Sequence, residues 1–120
     1  MNTTLLIIED NDQNYYLMRF LLEKNGFDIL GAETGKKGIE MARQHQPRAI
    51  LLDIQLPEMD GYAVAAMLKN DSELKKIPII AVTSYAMVGD REQILAAGAD
   101  GYIEKPIDPE TFVTEIQKFL

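Results

Sequence analysis

The chain has 120 residues, of which 47% are hydrophobic, and its 12 basic and 19 acidic residues give a net charge of −7. This length and composition suit one globular domain and exclude a disordered chain, while the acidic balance disfavours non-specific nucleic-acid binding. The lack of cysteine excludes a disulfide framework, a thiolate zinc site and cysteine catalysis. With neither a signal peptide nor an apolar run of membrane-spanning length, we expect a cytoplasmic protein that does not enter the membrane.

Short apolar runs alternate along the chain with helical patterns. Strands are predicted at residues 5–8, 27–32, 48–53, 78–83 and 101–104. Helices are predicted from 12 to 24, from 35 to about 46, from 61 to about 70, from about 90 to about 97, and from near Pro109 to the end. Five such pairs indicate a doubly wound α/β sandwich, in which one parallel sheet carries helices on both faces and the crossovers are right-handed.

Polar residues end or directly follow four of the predicted strands. They are Glu9 and Asp10 after the first strand, Asp53 at the third, Thr83 at the fourth and Lys105 after the fifth. Each alone has an ordinary explanation as a cap, a loop residue or a buried β-branched residue. In an open parallel sheet, however, the carboxyl ends of the strands lie at one edge, where ligands bind. We therefore predict one functional site made from all five residues.

Two or three carboxylates at adjacent strand ends would repel one another and raise a carboxyl pKa. A hard divalent cation relieves this repulsion, and carboxylate and carbonyl oxygens suit Mg²⁺ or Mn²⁺. The only histidine, His45, lies at a predicted helix end, which disfavours zinc. A carboxylate beside such a cation can attack a phosphoryl group and form an aspartyl phosphate. Lys105 and the Thr83 hydroxyl would then bind phosphoryl oxygens.

Four segments together resemble the receiver domain of two-component response regulators over the whole chain. They are IEDN at 8–11, LDIQLPEMDG at 52–61, IAVTS at 80–84 and KPI at 105–107. Within that family the chain is similar to stand-alone receivers of the cell-division type and to receivers of hybrid histidine kinases, and the segment MVGDR at 87–91 favours this branch. The resemblance implies a flavodoxin-like (βα)5 three-layer sandwich with a five-stranded parallel sheet of order 2-1-3-4-5.

The resemblance also implies roles for individual residues. Asp53 matches the phosphoacceptor, Asp10 a direct metal ligand, and Glu9 an acidic partner that acts mainly through water. The backbone carbonyl of Gln55 matches the third protein ligand of the metal.

Three further matches concern the phosphoryl group and the response to it. Thr83 and Tyr102 match the switch pair, in which the hydroxyl moves to the phosphoryl group and the aromatic ring turns inward. Lys105 matches the phosphate-binding lysine, whose bond to Pro106 is characteristically cis.

The first predicted helix carries more apolar side chains than one buried stripe requires. We expect its core residues to include Leu17 and Met18, and expect Tyr15, Tyr16 and Phe20 to remain partly exposed. In receivers this helix docks the phosphodonor, so these three residues are candidates for binding a histidine kinase or a histidine phosphotransfer protein.

We therefore expect residues 1–120 to form one receiver domain without an output domain. It would signal to an unknown downstream protein as a monomer or weak dimer, bind neither nucleic acid nor membrane, and catalyse only its own phosphorylation and autodephosphorylation. A metal-dependent phosphatase with an Asp nucleophile is an alternative, although that class has an acid where Gln55 stands and usually an inserted cap. A silent receiver that serves as an interaction platform is another. A nucleotide-binding module is disfavoured because residues 9–14 contain no glycine.

Overall fold

The structure is a computed structural model that describes residues 3–56, 59–84 and 88–120. The strands are β1 (Thr4–Ile8), β2 (Asp28–Ala32), β3 (Ala49–Asp53), β4 (Ile79–Thr83) and β5 (Gly101–Glu104). The helices are α1 (Asp12–Lys24), α2 (Gly35–His45), α3 (Gly61–Lys69), α4 (Val88–Ala96) and α5 (Phe112–Gln117). All paired strands run parallel in the order β2-β1-β3-β4-β5, which confirms the predicted doubly wound sheet.

The sheet has one apolar layer on each face because successive side chains of a strand point in opposite directions. Leu6 and Ile8 of β1 pack with α2 and α3, together with Ile94 of α4. Leu5 and Ile7 face the other way and pack with α1 and α5. Since β3 is buried at every position, its short apolar run reflects burial on both faces.

Side-chain hydrogen bonds cap the first turns of α1, α2 and α3. The Asn11 side chain accepts a hydrogen bond from Asn14 N at 2.9 Å, and Thr34 Oγ1 accepts one from Lys37 N at 3.1 Å. The Asp60 carboxylate accepts one from Ala63 N at 2.9 Å and so begins α3. Each side chain satisfies an amide that has no partner within its helix.

One predicted helix start was wrong. The fourth helix, Val88–Ala96, lies within two residues of its predicted bounds, whereas the last helix begins at Phe112 rather than near Pro109. Pro109 lies instead in a turn in which Phe112 N donates to Asp108 O at 3.0 Å. The apolar residues of this helix pack against the sheet, with Phe112 and Ile116 buried. Pro57 and Glu58 of the quoted motif lie outside the described residues, and so does residue 87.

In the ranges that the structure describes, no helix combines the length and the apolar character needed to cross a membrane.

Gly61 begins α3 directly behind the phosphoacceptor candidate. A Cβ at this position would contact the backbone of Ile54 and lie 2.7 Å from the Asp53 carbonyl oxygen, so the end of β3 would have to move. We expect Gly61→Ala to lower the free energy of unfolding by about 2–3 kcal/mol in urea titrations. Gly89→Ala is the matched control: it adds a Cβ to open space on α4, and we expect it to leave stability unchanged or raise it by up to about 1 kcal/mol. Equal effects of the two substitutions would contradict this explanation.

Candidate functional site

The sheet register brings the predicted polar residues together. Ile8 pairs with Leu52 and Asp53 with Val82, so β1, β3 and β4 end side by side. Glu9, Asp53 and Thr83 are buried at this edge, with exposed fractions of 2%, 4% and 0%, whereas Asp10 is exposed. The site therefore has a buried acidic floor and one carboxylate facing solvent.

Lys105 supplies the positive charge at this floor. Its Nζ lies 2.9 Å from Glu9 Oε1 and 3.4 Å from Asp53 Oδ1. It follows β5 in a backbone held to β4 by a 2.8 Å hydrogen bond from Lys105 N to Thr83 O, and its peptide bond to Pro106 is cis. One ammonium group thus contacts two carboxylates, which leaves an excess of negative charge.

Backbone amides orient the two buried carboxylates. Asn11 N donates to Glu9 Oε2 at 3.3 Å, and Gln55 N donates to Asp53 Oδ1 at 3.0 Å. Asp53 Oδ1 therefore contacts both the Gln55 amide and the Lys105 ammonium. The Gln55 side chain is exposed, and the role of its carbonyl as a metal ligand stays a prediction.

The pKa of Glu9 is raised to about 7. Burial is the largest cause because it disfavours the ionised form, and the hydrogen bond and negative charge of Asp53 act in the same direction. Lys105 opposes both effects without cancelling them. Repulsion between carboxylates was the predicted cause of a raised carboxyl pKa, whereas at Glu9 burial contributes most and the neighbouring carboxylate adds to it.

Glu9, Asp10 and Asp53 each offer one carboxylate oxygen, and these oxygens all lie within 4.8 Å of one another. Glu9 Oε1 is buried and, among the described residues, makes no contact with hydrogen-bond geometry, although it lies within ion-pair distance of Lys105. The Lys105 ammonium that pairs with this oxygen is also shared with Asp53. The all-oxygen donor set fits Mg²⁺ or Mn²⁺.

Thr83 and Tyr102 share one face of the sheet. Tyr102 is registered opposite Ala81, two residues before Thr83, and both Ala81 and Tyr102 pack in the apolar layer that includes Ile94 of α4. Thr83 is fully buried and Tyr102 is half-buried. The predicted switch pair thus lies on a common surface leading away from the acidic floor.

Arg91 contacts the ring of Tyr102, and the sequence did not predict this contact. Its guanidinium Cζ lies 5.1 Å from the centroid of the Tyr102 ring. No local sequence pattern joins a residue of α4 to a residue of β5, so only the tertiary packing shows this pair.

The three aromatic residues of α1 that were predicted to be partly exposed, Tyr15, Tyr16 and Phe20, are not buried. Tyr16 and Phe20 are 64% and 61% exposed, and the ammonium of Lys24 lies 5.9 Å from the Phe20 ring centroid. Tyr15 differs from them because its ring packs over Gly31 of β2. It lines a cleft of about 180 Å³ between α1 and the end of β2. Exposed aromatic surface on this helix is therefore mainly that of Tyr16 and Phe20.

Comparison with known proteins agrees with the site. The sequence model described as "Response regulator receiver domain" matches residues 5–117. The chain belongs to this family of two-component systems, whose members are phosphoryl-accepting signalling switches rather than classical enzymes. In particular, it is similar to the polar-differentiation response regulator DivK of Brucella ovis, with 43% identity over 120 residues covering 100% of this chain and 98% of that protein. The predicted resemblance to stand-alone, cell-division-type receivers is confirmed.

Solved structures of receivers have the same fold. The receiver domain of a Pseudomonas aeruginosa sensor histidine kinase, described with a magnesium ion in its active-site cleft, is 29% identical with a TM-score of 0.91, covering 99% of this chain and 98% of that chain. The Vibrio cholerae chemotaxis protein CheY4 is 23% identical with a TM-score of 0.94 and full coverage of both chains. The latter likeness concerns the fold alone. No comparison favours the phosphatase alternative.

Proposed function

We propose that Asp53 is the phosphoacceptor and takes its phosphoryl group from the phosphohistidine of a histidine kinase or histidine phosphotransfer protein. The observation that carries this assignment is the placement of Asp53: it is buried, 3.4 Å from Lys105 Nζ, and grouped with two other carboxylates. In this proposal the chain catalyses only its own phosphorylation and autodephosphorylation, and then signals by contact with a downstream protein.

The transfer is a displacement at phosphorus. An oxygen of the Asp53 carboxylate attacks, the P–N bond of the phosphohistidine breaks, and its electron pair stays on the imidazole nitrogen. The Gln55 amide and Lys105 hold Asp53 Oδ1 and so orient the nucleophile before the donor arrives. Lys105 then offers its charge to a phosphoryl oxygen, which matters because phosphoryl transfer depends chiefly on positioning and charge neutralisation.

Glu9, Asp10, Asp53 and the Gln55 carbonyl would hold Mg²⁺ or Mn²⁺ in this proposal. When bound, the cation supplies positive charge that the single ammonium of Lys105 does not provide. The grouping of the three carboxylates supports this assignment, because one oxygen of each lies within 4.8 Å of the others and a single ammonium, that of Lys105, contacts two of them.

The proposed response to phosphorylation involves Thr83 and Tyr102. The Thr83 hydroxyl would move toward the phosphoryl group, and the half-buried Tyr102 ring would turn into the space beside it. Their common face on β4 and β5 supports this pairing. Phosphorylation shifts the population only through contacts that differ between the two arrangements.

The proposal is tested by incubating the protein with Mg²⁺ and acetyl phosphate and measuring its intact mass. We expect a gain equal to one phosphoryl group, absent without divalent cation and absent in Asp53→Asn. Asp12→Asn removes an exposed carboxylate outside the acidic cluster and should phosphorylate normally. Phosphorylation of Asp53→Asn at the wild-type rate would overturn the assignment.

Docking of the phosphodonor on α1 gives a separate prediction. We expect Tyr16→Ala combined with Phe20→Ala to slow transfer from a histidine phosphotransfer domain at least about tenfold, because exposed aromatic residues commonly anchor protein interfaces. Transfer from acetyl phosphate, which needs no docking surface, should stay unchanged. Met67→Ala combined with Leu95→Ala is the control, since it removes exposed apolar side chains from α3 and α4. Equal slowing with both donors would show damage to the site instead of lost docking.

A further inference from the structure

The contact between Arg91 and Tyr102 links α4 to β5. The guanidinium Cζ lies 5.1 Å from the ring centroid, within the range at which a cation is attracted by the face of an aromatic ring. Arg91 is exposed and Tyr102 is half-buried, so the guanidinium covers a ring that the sheet and α4 leave partly open. The contact therefore belongs to a partly exposed position of the ring.

The position of α4 explains why Arg91 reaches this ring. Ile94 is buried in the same layer as Ala81 and Tyr102. Arg91 precedes Ile94 by three residues, which places the two side chains next to each other on the helix surface. A residue anchored in the core thus fixes the helix, and its neighbour extends over the ring from the solvent side.

Resting on the proposed function, we infer that Arg91 is a positioning residue that holds the Tyr102 ring in its half-exposed position and opposes its inward turn. A ring that turns toward Thr83 leaves the guanidinium and loses the attraction. The contact therefore favours the arrangement that is not coupled to phosphorylation. Its strength would set how much of the protein adopts the inward arrangement before any phosphoryl group is bound.

This role has a measurable consequence for a phosphoryl mimic. When the ligand-competent arrangement is only fractionally populated, the apparent affinity falls by that fraction. Removing one partly exposed cation–π contact should raise the apparent affinity about two- to fivefold. Arg91→Lys keeps a cation without the planar guanidinium, so its affinity should lie between those of the wild type and Arg91→Gln.

The test is a titration of the protein with beryllofluoride in the presence of Mg²⁺. Calorimetry measures the affinity, and NMR of protein with isotope-labelled tyrosine monitors the Tyr102 ring. Arg91→Gln should bind about two- to fivefold more tightly and shift the Tyr102 ring resonances, which are assigned from Tyr102→Phe. Arg43→Gln is the control, because it removes the same positive charge from another exposed arginine, which pairs with Asp71. The affinity of this variant for beryllofluoride should equal that of the wild type. In a Tyr102→Leu background, Arg91→Gln should have no effect on affinity.

Unchanged or weaker binding by Arg91→Gln would overturn the inference, as would the same gain in the Tyr102→Leu background. A change in unfolding free energy without a change in affinity would also overturn it, because a merely structural contact has that signature. Failure of the wild-type protein to bind beryllofluoride in a manner that depends on Asp53 would instead overturn the proposed function, and the inference with it.

Discussion

Lys105→Met is expected to lower the free energy of unfolding of the metal-free protein by about 3 kcal/mol near pH 8. Lys105 Nζ lies 2.9 Å from Glu9 Oε1 and 3.4 Å from Asp53 Oδ1, and both carboxylates are buried. Without the ammonium they repel each other where little water can reach them. Urea titrations in the presence of a chelator would measure the loss.

The loss should be smaller near pH 5, because Glu9 can then hold a proton in the folded protein and the repulsion disappears. Lys76→Met is the matched control: it makes the same chemical change at an exposed residue in the α3–β4 connection and should alter stability by less than about 0.5 kcal/mol. A loss for Lys105→Met that is equal at the two pH values would contradict the electrostatic explanation.

Glu9→Gln is expected to act in the opposite direction and stabilise the metal-free protein above pH 7, by about 2–3 kcal/mol. Folding raises the pKa of Glu9 from its ordinary 4.5 to about 7, so the folded protein keeps a proton that the unfolded chain releases. The resulting stabilisation is complete below pH 4.5 and is lost as the pH rises to about 7. Glutamine resembles the protonated carboxyl and retains that stabilisation at every pH.

The measurement is the free energy of unfolding between about pH 4 and pH 8 with a chelator present. Glu40→Gln, at an exposed position of α2, should follow the wild-type curve. Added Mg²⁺ should stabilise the wild type more than Glu9→Gln, because the variant lacks one proposed ligand. In the Glu9→Gln background Lys105→Met should cost less than in the wild type, since fewer carboxylates then face the missing charge. A Glu9→Gln protein less stable than the wild type near pH 8 would refute this account.

The residues at the functional edge could be predicted from the sequence because the signals that place them come from neighbouring residues. A short apolar run ending in a polar residue defines a strand and its carboxyl end, and the alternation with helices makes the strands parallel. Glu9, Asp53, Thr83 and Lys105 therefore had to lie at one edge, as they do. Helix starts depend on weaker signals. Pro109 is compatible with a first helical turn, but it also fits the preceding turn in which it lies.

Side-chain contacts between particular helices and strands could not be predicted from the sequence. The sequence shows that α1 has excess aromatic residues, but not that Tyr15 would pack over Gly31 while Tyr16 and Phe20 remain exposed. Which aromatic residue is covered depends on where β2 lies beside α1. Likewise, nothing in the order of residues indicates that Arg91 would reach Tyr102.

Periodicity and strand-end chemistry are properties of neighbouring residues, so the fold and the residues grouped at the functional edge follow from the amino-acid order, and the four matched segments indicate the family. The energetics of that edge depend instead on the folded structure. The pKa of Glu9 reaches about 7 because three-dimensional packing buries it beside Asp53 and gives the two carboxylates one lysine to share. Burial and charge separation depend on distances across the sheet, and a linear pattern does not contain them.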